Sequence, residues 1–313
     1  MSNLERQNEA SVSTDCPPAP RVPASQRIAT RDARLGEGMT IRRALPSRAR
    51  RMVGAWCFLD HFGPVDVSRG DGLRVGPHPH IGLQTVTWLL EGEILHRDSL
   101  GYVQPIRPGQ LNLMTAGRGI SHSEESPERR PASLHGAQLW IALPDGARHV
   151  DPAFDHFAAL PVIQRDGVST TVLLGEAYGE RSPGQVHSPL VGLDLASRQA
   201  ALTRVPLHAA YEYGALVLDG EVMVEGERLA AGTFLYLGCA RTSLELATQA
   251  PARMLLIGGE PFAEEVQLWW NFVARTRDEI DSARADWEAG RRFGAVRNYP
   301  GSRIAAPPVP WAQ

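Results

Sequence analysis

The sequence has no lysine: all 32 basic residues are arginine. This removes Schiff-base chemistry on a lysine and the lysine-dependent phosphate loop. Cysteine is almost as scarce. Cys16, Cys57 and Cys239 are odd in number, widely separated and free of any CxxC pair. They argue against a disulfide framework or a thiolate metal site and for a reducing compartment. No apolar run approaches the roughly 18 residues of a membrane span. The polar N-terminus lacks the apolar centre of a signal peptide, so a cytoplasmic location is expected. With 35 acidic against 32 basic side chains and a formal charge of -3, there is no cationic surplus to attract nucleic acid.

The sequence does hold many turn-formers, 30 glycines and 24 prolines in 313 residues. Between them lie short runs with strand character, among them VTWLLEGEI (86–94), QLNLM (110–114), AQLWIAL (137–143), TVLLGEAYG (171–179) and RMLLIGG (253–259). Dense strands with almost no helix between them predict an all-β chain of sandwiches or barrels. An internal echo refines this. LLEGEILHRDSLG (89–101) followed by IRPGQLNLMTAG (106–117) has the pattern of VLDGEVMVEGERL (217–229) followed by AAGTFLYLGCA (230–240). The expected organisation is a flexible tail (1–25), a first barrel (26–150), a linker (151–161), a second barrel (162–262) and a C-terminal helix and tail (263–313). Thr276-Arg277-Asp278-Glu279 has the form of a capping box. Ile280, Ala283 and Trp287 follow at helical spacing, and Gly290 is the expected stop.

Six of the ten histidines lie between His61 and His135. In Pro77-His78-Pro79-His80 two imidazoles stand at i and i+2, the spacing that shares one face of a strand. His122-Ser123-Glu124 repeats the spacing with an imidazole and a carboxylate. Either pair alone fits a loop, and His-Pro-His alone fits a rigid surface turn. Together in one barrel they make a three-nitrogen, one-oxygen set suited to a divalent first-row metal with positions left open. His96 and Asp98 are read as hydrogen-bonding residues rather than ligands, and His61 as structural; His135 is left open. The arginine-rich stretch 42–51 is read as a solvated loop rather than a basic patch.

HPHIGLQTVTWLLEGEILHRDSLG, RPGQLNLMTAGRGISHSE, the upstream LDHFGP, the downstream LHGAQLWIALP and the late GEP (259–261) resemble the pirin family of the cupin superfamily. The resemblance runs from about residue 26 to 292. It implies two cupin barrels in one chain, with metal in the first only, held by His78, His80, His122 and Glu124. It suggests Fe(II), with Mn, Ni, Cu or Zn as alternatives, and a monomer. Some members resemble quercetin 2,3-dioxygenases, which would take a small aromatic enol and dioxygen. Others are transcriptional co-regulators or bind metabolic enzymes, so a metal-loaded, redox-sensing regulator with a protein partner is the alternative. In the enzyme reading Glu124 is both ligand and base, and Leu83, Trp88, Leu113 or Met114 supply an apolar wall. The sequence departs from the family pattern after His80. Ile81-Gly82-Leu83-Gln84 stands where Arg-Gly-Phe-Glu is usual, and counting by twos places Gln84 on the ligand face, as a cavity-lining amide or a hydrogen-bonded barrel residue. Trp269-Trp270-Asn271-Phe272-Val273 replaces a second family segment and is read as core packing or an interface.

Overall fold

The computed structural model describes residues 10–35 and 39–311. Its strands form two barrels built to one plan, each a seven-stranded sheet closed by a four-stranded one. In the first, the large sheet runs Ala153–Phe157, Leu111–Thr115, Leu83–Glu91, Ser133–Ala142, Trp56–Asp66, Met39–Leu45, Arg31–Leu35. The small sheet runs Arg74–His80, Ile120–Glu125, Ile94–Asp98, Val103–Ile106. In the second, Glu212–Asp219 and Phe234–Gly238 pair as Leu83–Glu91 and Leu111–Thr115 do in the first. The internal echo in the sequence is this structural repeat.

Two segments expected to be irregular contribute strands. Ala153–Phe157, inside the 151–161 stretch, pairs with Leu111–Thr115 at the edge of the first barrel. Pro23–Ile28 crosses to the second barrel and pairs with Phe234–Gly238 in the equivalent position. Ser11–Val12, in the expected tail, pairs with Gln267–Trp269, while residues 1–9 lie outside the described residues. Each of these strands pairs backbone groups of its neighbour that would otherwise lie at an exposed edge.

The large sheets pack against each other, so their strands are buried on both faces and read as nearly continuous apolar runs. Along Leu83–Glu91, Val86 and Trp88 point to the inter-barrel core beside Leu173, Leu216, Leu255 and Ile257. Leu89 belongs to a core inside the first barrel with Val75, Ile94 and Ile106. Trp88 Nε1 donates across the interface to Asp194 Oδ2 (3.2 Å), and Arg253 forks onto the same carboxylate. Trp56 Nε1 donates to Gly258 O (3.1 Å).

The C-terminal helix spans Arg277–Glu288. The Thr276 hydroxyl accepts from Glu279 N, and Ile280, Ala283 and Trp287 are its buried residues. They pack with Trp269, Trp270 and Phe272, so the tryptophan-rich stretch is core. This unit closes the end of strand Arg74–His80: Ile81 bridges to Phe272, and Gly82 turns the chain at φ 68°. A Cβ on Gly82 would lie 2.1 Å from Val273 O, so only glycine fits the turn. The arginine stretch is neither a solvated loop nor a basic patch. Arg43 is buried against Asp60 (2.8 Å), Arg50 is buried with its guanidinium over the Tyr236 ring, Arg42 donates to Gly63 O, and Arg48 is the exposed member.

Asp194→Ala would leave Arg253 and the Trp88 N–H without their shared acceptor at the interface. The expected loss is about 2–3 kcal/mol by urea unfolding. Glu176→Ala, which breaks the exposed pair with Arg181, is expected to cost under about 1 kcal/mol.

Candidate metal centre

Strand Arg74–His80 is the edge of the four-stranded sheet, where Pro77 and Pro79 cost no ladder bond to a further strand. Its partner Ile120–Glu125 runs antiparallel and sets His122 opposite His78. Between His122 and Glu124 a bulge shifts the register, so Glu124 faces Val75. His78, His80 and His122 come together in the barrel, each offering a nitrogen within 4.8 Å of the others. All three are essentially inaccessible to solvent.

Their outer partners fix the tautomers. His78 Nδ1 faces Gly76 O (2.8 Å) and His80 Nδ1 faces Asn271 O (3.0 Å). A carbonyl only accepts, so both Nδ1 atoms carry the proton and both Nε2 atoms are lone pairs. His122 is fixed one step further out. His96 Nε2 donates to the Asp98 carboxylate (3.0 Å), leaving His96 Nδ1 to accept from His122 Nδ1 (3.3 Å). Asp98 Oδ1 also accepts from Leu100 N and Tyr102 N, and His96 stacks on Phe154. His122 Nε2 is therefore a third lone pair, 3.1 Å from His80 Nε2. Burial pushes His78 down to about 3 and holds His80 and His122 well below the ordinary value, so the rings are neutral. His78 Nε2 is buried with no hydrogen-bond partner among the described residues. Three converging lone pairs repel unless a cation lies between them, and neutral imidazoles with tethered Nδ1–H groups are the form in which histidine binds metal. The residues fit a metal ion.

Glu124, expected as the fourth member, is buried beside this group but outside its 4.8 Å circle. Its charge acts on His78, and its Oε1 lies 3.2 Å from Thr87 Oγ1. Gln84 does not share the ligand face. Its Nε2 donates to Thr115 Oγ1 and Gln185 O, on the side of Val86 and Trp88, because the Gly82 turn resets the strand alternation. Of the four candidate wall residues, Leu83 and Met114 lie in one core with Phe58, Trp140 and Phe154, while Trp88 and Leu113 belong to the inter-barrel core. Trp140 stands edge-on to His80 (5.1 Å) and stacks on Phe58 (4.0 Å). His61 and His135 pair with each other, Nε2 to Nε2 at 2.9 Å, outside the three-histidine group. The three cysteines are free, and burial pushes the Cys57 thiol up to about 12, which makes it unreactive. The sequence reading missed Thr87 and Trp140, whose direction depends on register, and Asn271, whose contribution is a backbone carbonyl.

His96→Phe preserves the stack on Phe154 but removes the acceptor for His122 Nδ1–H. Chelator competition is expected to show a 10–100-fold, order-of-magnitude loss of divalent-metal affinity, while His135→Ala stays within about twofold of wild type. Without metal, the native state keeps His61 and His78 neutral to about 3, whereas the unfolded chain protonates them near 6.5. Stability is thus complete above pH 6.5 and falls as pH drops from there towards about 3. The urea midpoint of metal-free protein should be level from pH 8 to 7 and lower at pH 4.5.

Family models for Pirin and for the Pirin C-terminal cupin domain match residues 38–141 and 192–294. A Pseudomonas aeruginosa protein whose name gives it provisionally as a quercetin 2,3-dioxygenase is 51% identical, over 99% of this chain and 98% of its own length. A pirin-like protein of Caulobacter vibrioides is 40% identical over 80% of this chain and 88% of its own. A crystal structure of a quercetin 2,3-dioxygenase from Acinetobacter baumannii matches with a TM-score of 0.89 and 51% identity, covering 92% of this chain and 97% of that one. With both barrels matched and relatives aligned along nearly their whole length, the chain belongs to the pirin family.

Proposed function

We propose that the protein is a metal-dependent dioxygenase that opens a flavonol-type enol such as quercetin, with Fe(II) held by His78, His80 and His122 and Glu124 beside it as proton acceptor and intermittent fourth ligand. The observation that carries this reading is the set of three tethered, neutral imidazoles converging with a buried carboxylate alongside. The names of the Pseudomonas and Acinetobacter relatives supply the substrate class. Imidazole and carboxylate suit iron, and the same donors accept Mn, Ni, Cu or Zn.

A divalent ion at this point would supply Lewis acidity that lowers the pKa of an adjacent substrate hydroxyl. The chain supplies the rest. Glu124 takes the hydroxyl proton, since a buried carboxylate within reach is the general base the reaction needs. The stacked Phe58–Trp140 pair, with Leu83, Met114 and Phe154, offers an apolar wall to a flat aromatic ring and keeps water from the reacting carbon. The ionised enol then reacts with dioxygen, the ring opens, and carbon monoxide leaves. The second barrel, whose interior is an apolar core of Val172, Leu193, Val217, Leu256 and their neighbours, serves as the wall against which the first is built.

Iron-loaded protein incubated with quercetin should bleach its visible absorbance and release carbon monoxide in step, and His78→Ala and His122→Ala should fall to the rate of free iron. Wild-type turnover no faster than free iron, with each candidate metal, would remove the enzyme reading.

A further inference from the structure

Strand register lays two parallel rows on the interior face of the first barrel's large sheet. In one, Gln138, Thr87 and Asn112 stand opposite one another on three adjacent strands. In the other, Phe58, Trp140, Thr85 and Met114 do the same, two residues further along. Positions i and i+2 share a face, so both rows look into the barrel, about 7 Å apart. Phe58, Trp140 and Met114 belong to one apolar core on that side. The polar row adjoins the metal centre, because Thr87 Oγ1 lies 3.2 Å from Glu124 Oε1.

Both amides in the polar row are buried and half-satisfied. Gln138 Oε1 faces Thr87 Oγ1 (2.8 Å), and Asn112 Oδ1 faces His156 Nδ1 (2.8 Å). Gln138 Nε2 and Asn112 Nδ2 have no hydrogen-bond partner among the described residues. Turning either amide over exchanges its oxygen and nitrogen and still leaves one end unpaired. Unpaired buried polar atoms are costly, and a bound molecule can remove that cost. The group that suits either orientation is a hydroxyl, which both donates and accepts. Water shares that property. The second row singles out an aryl hydroxyl, since a flat ring lying on Phe58, Trp140 and Met114 would present the groups on its edge to the two amides.

We propose that Gln138 and Asn112 form a recognition subsite for the ring hydroxyls of a polyphenol, so that the site selects a polyhydroxylated flavonol over one that carries the enol alone. A subsite built to pair a hydroxyl rejects an analogue without it, because its own polar groups then stay unpaired. The inference rests on the dioxygenase reading for the flavonol skeleton and adds the hydroxyl preference to it.

The test uses Zn(II)-loaded protein with two probes, quercetin and 3-hydroxyflavone. The second has the enol and its neighbouring carbonyl but no other hydroxyl. Affinity is read by quenching of tryptophan fluorescence and folding by thermal melting. Wild type should bind quercetin at least about tenfold tighter than 3-hydroxyflavone. Asn112→Leu and Gln138→Met should each weaken quercetin binding about tenfold and leave 3-hydroxyflavone within about twofold of wild type. Equal affinity of the wild type for the two probes would overturn the proposal, and that comparison needs no variant to fold. Variants that lose both probes alike, or neither, would overturn it too. The two readings fail separately. Turnover of quercetin by iron-loaded protein without a hydroxyl preference sinks the subsite and leaves the dioxygenase. A hydroxyl preference that depends on the two amides, without turnover, sinks the dioxygenase and leaves the subsite. Wild type that binds neither flavonol sinks both.

Discussion

Three imidazole lone pairs directed at one buried point are the constraint around which the first barrel is organised. Lone pairs this close repel, and burial makes protonation an expensive escape. The barrel holds them there through what lies behind each ring: one carbonyl from the ligand strand itself, one from Asn271 in the C-terminal unit, and the His96–Asp98 pair on the neighbouring strand. Those supports come from segments nearly two hundred positions apart in the extreme case, which ties the ligand geometry to the fold as a whole.

The rest of the architecture follows from keeping that site rigid and dry. The second barrel buries one face of the large sheet, and the Asp194 bridge to Trp88 and Arg253 pins the two together. The C-terminal helix and its tryptophans cap the ligand strand at Ile81 and Gly82. Pro23–Ile28, crossing to the second barrel, and Ala153–Phe157, at the end of the first, each add an edge strand to a large sheet. A site built on strands braced in this way is held more firmly than one on loops.

Much of this was legible in the residues. The i, i+2 spacing in His78–His80 and the echo between residues 89–117 and 217–240 depend on local chemistry, which a sequence records directly, as do the cap at Thr276 and the buried stripe of Ile280, Ala283 and Trp287. What stayed hidden depends on register. Gln84 keeps the parity of His80 only if the strand runs on, and the Gly82 turn breaks it. Trp88 and Leu113 look like cavity walls because a sheet buried on both faces is apolar on both. Arg43 and Arg50 read as solvated because the carboxylate that receives the first is set opposite it only by strand register, and the ring that receives the second lies in the second barrel. No composition rule marks Thr87, which matters only because its hydroxyl faces Glu124.

The central claim is that His78, His80 and His122 hold one ion together. The most direct measurement is X-ray absorption at the metal edge, on protein purified from cells and quantified for metal content. The account expects close to one equivalent of a divalent first-row metal, with three imidazole nitrogens at about 2.1 Å and oxygen filling the remaining positions. Protein that takes up no stoichiometric metal, or a bound ion with fewer than two imidazole nitrogens, would contradict it.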